Sequence, residues 1–404
     1  MKIKTTRRLV ASMVLGSASF APNVKTFVDM SKIPPFVQVG MKSMLMKLEF
    51  QLTATMGFGS SGPAVPTLFL KYLLDTELWG PGNYVITSDR RGWHDSVWQY
   101  MQRGRIDWIK GADIPASTSS ATRTWTQEMD FEEPNLPSQI ARCWPIEAFR
   151  AGGAGLYIKY KTPVTIKGAT ITTTALTLNI YAHVFDMPAA AVSLPLLISE
   201  FATKTNTGDI NPSPGIGQYL RTLMALSPVP ADNDGTASDD LSPYTQIDYY
   251  GLPNAYTVYQ QPVTLHMQDM AKLISTEQPS QLNTNTNNKS EFRLLDPQQN
   301  FDGAIRAIPL VWPDKGRDIT AGPIYNDKPQ LGVNGNVTAG LPANFWFMNQ
   351  RIDPRTDAIL NATVSAMTSA STGQTLLGRV AAIPKAHNVP GVDKSRVPLL
   401  INAS

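Results

Sequence analysis

Cysteine is almost missing from this chain: Cys143 stands alone among 404 residues. That excludes an intramolecular disulfide framework and any cysteine-rich zinc site. With Trp144 and Pro145 beside it, the lone thiol reads as a small buried hydrophobe. Histidine is nearly as scarce, and its four residues lie far apart, so no histidine-built metal centre announces itself. Charged residues make up only 17% of the chain, against about a quarter in ordinary globular proteins. No apolar run reaches the roughly 18–20 residues that a membrane-spanning helix needs. A strained Gly-x-Ser-x-Gly nucleophile turn is absent, as is a phosphate loop ending in Lys-Ser/Thr.

What the chain does have is proline (31), glycine (28) and period-2 alternation. Met46, Leu48, Phe50 and Leu52 alternate with Lys47, Glu49, Gln51 and Thr53, the pattern of a strand with one buried face. Leu156–Lys161, Leu176–Val184 and Leu360–Ala366 repeat it. Short helical segments are expected at 92–101, capped by Ser88 or Asp89, and at 264–274 after Pro262, with a third at Ala189–Phe201. The remainder reads as long loops, among them 57–66, 111–120, 204–217, 228–242, 277–290 and 313–340, the lengths of which suggest contacts or function. The tail, 371–404, reads as an extended path punctuated by Pro384, Pro390 and Pro398.

The elements recur. Met46–Thr53, an apolar run at 68–74, Tyr84–Thr87 and a helical segment carrying His94 are matched by Leu220–Leu226, Ile247–Tyr250, Tyr256–Tyr259 and a segment carrying His266. The two histidines are 172 residues apart. Leu176–Val184 and Leu360–Ala366 would close the two halves. Residue identity between them is low, so the repeat is one of element order, and it points to a shape and an assembly rather than to a reaction.

Charge is distributed unevenly. Lys2, Lys4, Arg7, Arg8, Lys25, Lys32 and Lys42 face Asp29 alone in residues 1–42, although the net charge of the whole chain is only +3. A basic arm on a slightly acidic body suits an anionic partner, lipid headgroups or nucleic acid. The same stretch has the outline of a secretory leader, with a basic start, an apolar middle and Ala18-Ser19-Phe20-Ala21 as a cleavage site. The preferred reading is a retained arm with an apolar turn.

Several strings invite chemical readings. Asp89-Arg90-Arg91-Gly92-Trp93-His94-Asp95-Ser96 holds acid, base and hydroxyl, but reads best as a capped short helix with Trp93 inside and the arginines in salt bridges. Asp232–Asp240 is oxygen-rich, yet Ala237 stands where a helix-loop-helix calcium site requires glycine and Pro243 where its bidentate glutamate belongs. Gly57–Gly62 and Ala151–Gly155 read as turns between strands. Glu128, Asp130, Glu132 and Glu133 form one acidic loop run rather than a carboxylate pair across a cleft. Asn336-Val337-Thr338 and Asn361-Ala362-Thr363 match a glycosylation pattern too common to carry weight.

Leu45-Met46-Lys47-Leu48 through Gly92-Trp93-His94, and Tyr256-Thr257-Val258-Tyr259-Gln260, resemble strings in the double jelly-roll major capsid proteins of membrane-containing bacteriophages. These are the tectivirus-like coat proteins, related more distantly to adenovirus hexon. The likeness covers roughly residues 43–370. It implies an all-β fold of two tandem eight-stranded jelly rolls with a few short helices. The corresponding division is a basic arm at 1–42, a first jelly roll at 43–190, a linker at 191–216, a second jelly roll at 217–370 and an extended tail at 371–404. It also implies a homotrimer with a pseudo-hexagonal footprint that tiles an icosahedral virion shell over an internal membrane and is assembled in the host cytoplasm. The partners implied are other copies of the chain, penton and minor capsid proteins, and anionic lipid, with no specific nucleic-acid recognition. No catalytic, cofactor-binding or metal-ligating residue follows from it. Lys2, Lys4, Arg7, Arg8 and Lys25 are the expected inner-layer contacts. The alternatives are a secreted or surface two-domain β-sandwich for binding or adhesion, and a β-rich hydrolase.

Overall fold

A computed structural model describes residues 5–33, 41–59, 67–91, 114–115, 117–131, 143–150, 153–166 and 169–188. Beyond these it describes only the backbone of the strands given below between 196 and 353. The first half contains β1 (Thr6–Val14), β2 (Thr26–Val28), β3 (Met41–Phe58), β4 (Leu74–Trp79), β5 (Val85–Arg91), β6 (Ser120–Asp130), β7 (Trp144–Pro145), β8 (Gly155–Tyr160), β9 (Val164–Ile166) and β10 (Ala169–Pro188). The second contains β11 (Leu196–Lys204), β12 (Gly208–Ile210), β13 (Gln218–Leu226), β14 (Tyr244–Tyr250), β15 (Thr257–Pro262), β16 (Ile305–Pro309), β17 (Ile324–Asn326), β18 (Gln330–Gly335) and β19 (Phe345–Asp353). The described helical structure consists of short 3-10 turns, at Met30–Lys32, Thr67–Tyr72, Pro81–Asn83 and Ile146–Arg150. The fold is all-β.

The pairing order defines the architecture. With the short β7 and β9 set aside, the first half has eight strands. The first pairs with the eighth (β1 with β10), the second with the seventh (β2 with β8), the third with the sixth (β3 with β6) and the fourth with the fifth (β4 with β5), all antiparallel. This is one long eight-strand hairpin. It is rolled so that β10 also pairs with β3, and β8 with β4, giving the sheets β1-β10-β3-β6 and β2-β8-β4-β5. That is a jelly roll. With the short β17 set aside, the second half repeats it strand for strand: β11 with β19, β12 with β18, β13 with β16 and β14 with β15, closed by β19 with β13 and β18 with β14. The expected repeat falls on equivalent strands at two of its elements, since Met46–Thr53 and Leu220–Leu226 lie in the two third strands and Tyr84–Thr87 and Tyr256–Tyr259 mark the two fifth; the run at 68–74 is mostly a 3-10 turn before β4, whereas Ile247–Tyr250 lies in β14. One parallel pair, Ser199 with Thr87, joins β11 to β5, so one sheet of each jelly roll continues into a single nine-stranded sheet.

Several sequence expectations change. The expected arm holds β1 and β2, two of the eight strands of the first jelly roll, and the expected linker holds their counterparts β11 and β12. Leu196–Phe201, expected as helix, is strand because pairing with β19 overrides the helical preference of its leucines and glutamate. Ser88 and Asp89 continue β5 rather than capping a helix, and Pro262 ends β15. The expected loops at 204–217 and 313–340 contain β12, β17 and β18. The eighth strand of the second half is Phe345–Asp353. The segments 92–101 and 264–274, the run at 360–366 and the tail at 371–404 lie outside the described residues.

In the first jelly roll the alternation packs as expected. Leu48, Phe50 and Leu52 of β3, Leu178 and Ile180 of β10 and Trp125 of β6 face Ile86 of β5, Leu78 of β4 and Leu156 and Ile158 of β8, all buried. Two such sheets face to face share one core. The Tyr160 hydroxyl is 2.9 Å from that of Thr173 across it. Cys143 and Trp144 are fully buried.

The stretch after β1 is equally part of this core. Gly16, at φ +87, allows the turn that lets its own N–H bond to the Phe20 carbonyl at 2.9 Å. Phe20 is fully buried. Asn23 then clamps the chain to the end of β8: its Nδ2 donates to the Thr162 carbonyl at 2.6 Å and its Oδ1 accepts from the Thr162 N–H at 3.2 Å. Phe20→Ala is expected to cost about 3–5 kcal/mol, read from the shift of the urea midpoint. A peripheral arm would give no such shift.

Candidate functional site

The five basic residues picked out in the sequence separate. Lys2 and Lys4 lie outside the described residues. Arg7 and Arg8 lie in β1, and Lys25 immediately precedes β2. Their surroundings differ from those of a free arm.

Register places Arg7 opposite His183 on β10, which in turn faces Lys47 on β3; in the adjacent row Leu9, Tyr181 and Glu49 align. Side chains of both rows meet on the outer face of the sheet. Arg7 donates from Nε at 3.1 Å to Glu49 Oε2 and from its terminal nitrogen at 2.7 Å to Oε1, a two-pronged contact. His183 Nε2 lies 2.5 Å from Glu49 Oε2, and Gln51 Nε2 donates to Oε1 at 2.9 Å. The guanidinium also sits 3.6 Å above the centre of the Tyr181 ring. Beside this node Lys47 and Glu128 pair at 2.5 Å. Further along, the same face is a ladder of small polar groups: Ser12 with Asn179 (2.7 Å), Thr53 with Thr124 (3.0 Å) and Thr55 with Thr122 (2.9 Å).

Glu49 thus holds three strands together: β1 through Arg7, β10 through His183 and its own β3. Burial pushes its carboxyl upward, but the hydrogen bonds and charges of Arg7 and His183 outweigh that and leave it below its ordinary value. A carboxylate held low stabilises the fold above its unfolded value, and that contribution disappears as pH falls through the lowered folded value. Glu49→Gln is therefore expected to cost about 1–3 kcal/mol at pH 7. Its stability gap from the wild type should close as urea titrations are repeated toward pH 3.

Lys25 occupies a second cluster, on the outer face of β2-β8-β4. Its ammonium lies 2.5 Å from Glu77, 4.9 Å from the centre of the Tyr157 ring and 5.8 Å from that of Trp79. The Trp79 indole N–H donates to the same Glu77 oxygen at 3.0 Å. Phe27 and Tyr157 stack at 5.2 Å, and the Phe27 ring lies over Gly155, where a Cβ would meet it at 2.2 Å. An open cleft of about 260 Å³ is lined here by Asn23, Lys25, Asp75, Glu77, Tyr157 and Lys159. Lys161 also pairs with Asp75, at 3.0 Å. The charges are thus largely engaged with one another.

The remaining candidates resolve in part. Glu128 and Asp130, expected in an acidic loop, lie on strand β6, with Glu128 paired to Lys47 and Asp130 buried. Ala154 and Gly155 lead into β8 after Gly153 at φ +83, a turn as expected. His94, Asp95, Ser96, the 232–240 string, Asn336 and Asn361 lie outside the described residues. Among the described residues no group of three or more His, Cys, Asp or Glu is placed to hold a metal ion. The Glu49 node was not legible in the sequence, because its members are brought together only by the register of three strands.

No family model matches the chain, and no curated protein matches it. Among solved structures it is similar to the STIV MCP, at 11% identity over 87% of this chain and 97% of that one, with a TM-score of 0.48. A chain in the structure of Sulfolobus Turreted Icosahedral Virus is 14% identical over 94% and 97%, with a TM-score of 0.47. One in the Sputnik virophage is 11% identical over 87% and 86%, with a TM-score of 0.40. The assignment of the fold rests on the strand order itself.

Proposed function

We propose that the chain is a major coat subunit that builds the shell of an icosahedral virion. The observation that supports this most directly is the fusion of two complete jelly rolls with one pairing order in a single chain. Fusion gives one subunit two copies of the same unit, so that three subunits present six, a pseudo-hexagonal outline able to tile a closed surface. A chain with few charges has sides suited to burial against neighbours, and permanent interfaces of this kind often exceed about 2,000 Å². The role is structural rather than catalytic.

The finer parts of the reading follow from the resemblance to phage coat proteins. The native unit is a homotrimer, its neighbours are other trimers with penton and minor capsid proteins, and assembly takes place in the host cytoplasm. The first jelly roll runs from Thr6 to Pro188 and the second from Leu196 to Asp353. The shell encloses a membrane, with the basic N-terminal residues towards its anionic headgroups. Because Arg7 and Lys25 are engaged within the chain, Lys2 and Lys4 carry that contact, each contributing on the order of 1 kcal/mol near such a surface.

Two measurements test this. Sedimentation at micromolar concentration is expected to give a trimer; a stable monomer of 44.2 kDa removes the coat reading. In vesicle flotation, Lys2→Gln/Lys4→Gln is expected to weaken binding to anionic vesicles at low salt and leave neutral vesicles unaffected. Flotation that is equal for both proteins and insensitive to salt rejects the lipid contact alone.

A further inference from the structure

Among its described strands the chain carries one jelly-roll junction inside it and leaves the two halves of another open. At the internal junction the fifth strand of the first jelly roll, β5, meets the first strand of the second, β11. The equivalent strands at the ends are β15 and β1. Among the described strands β15 pairs only with β14, and β1 only with β10. We infer that β15 of one copy docks against β1 of the next, repeating between chains the junction found within the chain. This rests on the coat-subunit reading and names the surface by which that subunit associates.

Independent support comes from where apolar surface is exposed. Among the described residues, the exposed large hydrophobics are Leu9 (58%), Val14 (57%), Val24 (53%) and Phe27 (49%). All four fall within the two edge strands that form this end of the first jelly roll, β1 and β2, and the turn between them. From Leu9 to Val14 the edge carries no charge and no proline, the devices that ordinarily keep an open strand edge from pairing. A register shift between Leu9 and Ala11 lets Val10, Ala11 and Met13 pack against the core while Leu9, Ser12 and Val14 are exposed. Concentrated apolar surface of this kind marks a protein contact. The contact is heterologous, one end of a copy against the other end of its neighbour, and such contacts generate closed rings when the rotation closes. Three copies joined in this way give a ring of six jelly rolls with one kind of junction throughout.

Leu9→Lys/Val14→Lys alters exposed positions and is expected to leave the circular dichroism spectrum and thermal unfolding of the subunit in place while shifting sedimentation from trimer to monomer. A trimer that persists in this folded variant overturns the inference and leaves the coat reading standing. A wild-type monomer removes both. The direction of the contact is tested by mixing chains that carry Ser12→Cys on β1 with chains that carry Gln260→Cys on β15, then adding a short bismaleimide; buried Cys143 does not compete. Cross-linking between the two kinds of chain is expected. Cross-linking of Ser12→Cys chains to one another, or none in a mixture that sediments as trimer, overturns the proposal.

Discussion

The pairing of β3 with β10 is the constraint on which the first jelly roll depends. It runs from Ile171 opposite Phe58 to Pro188 opposite Met41, nearly the whole length of both strands. A long hairpin of eight strands has no reason to roll until its third and eighth strands meet. Once they do, the first strand is carried alongside through β10 and the sixth through β3, and the sheet is complete. Leu48, Phe50, Leu52, Ala54 and Met56 of β3, all fully buried, then face the second sheet. A slip of one residue would turn Phe50 and Leu52 outward and bring Glu49 and Gln51 into the core, so the buried face fixes the register of the stretch between the shifts at Thr173/Ala175 and His183/Val184.

The polar face enforces the same register from outside. Glu49 accepts from Arg7, His183 and Gln51 at once, which requires β1, β10 and β3 to be aligned within a residue. Thr53 meets Thr124 and Thr55 meets Thr122 only in that alignment. The threonine contacts are individually weak, since exposed pairs contribute little stability. Their number along one face makes a shifted register unfavourable at many points together, which is specificity rather than strength.

How much of this was legible in the sequence depended on where a strand sits in its sheet. β3 and β10, flanked on both sides, show clean alternation, and their residues were readable as strands with a buried face. Among the described strands β1 has a neighbour on one side only, and its irregular register breaks the period. What remains, Thr6-Arg7-Arg8 followed by Leu9 to Val14, has the composition of a basic arm or a leader. β11 meets β5 through one residue pair and otherwise only β19, and its leucines, alanine and glutamate read as helix. The first two strands of each jelly roll therefore read in the sequence as an arm and a linker, and the visible repeat begins at the third strand of each half. β18 was lost for a related reason: Gln330-Leu331-Gly332-Val333-Asn334-Gly335 has strand character only because β12 and β14 flank it. The Arg7–Glu49–His183 node was unreadable in principle, since its members are 42 and 134 residues apart and only register unites them.

The same topology sets an order of dependence. In each half the first strand finds its partner in the last, so neither jelly roll closes until nearly all of it has been made. Contacts of such sequence separation form slowly, because the loop between them must be ordered before they stabilise anything. Until β10 arrives, β1 is an apolar edge with nothing to pair with. After it arrives, β1 still has one side open, with Leu9 and Val14 exposed. In the second jelly roll the corresponding side of β11 is met by β5 of the same chain. The difference between the two first strands is therefore one of supply: the preceding jelly roll covers β11 in cis, whereas no described strand pairs with that side of β1. Among the described strands each jelly roll is thus joined to the other along one side only, and that asymmetry, rather than any single residue, gives the subunit a directional surface.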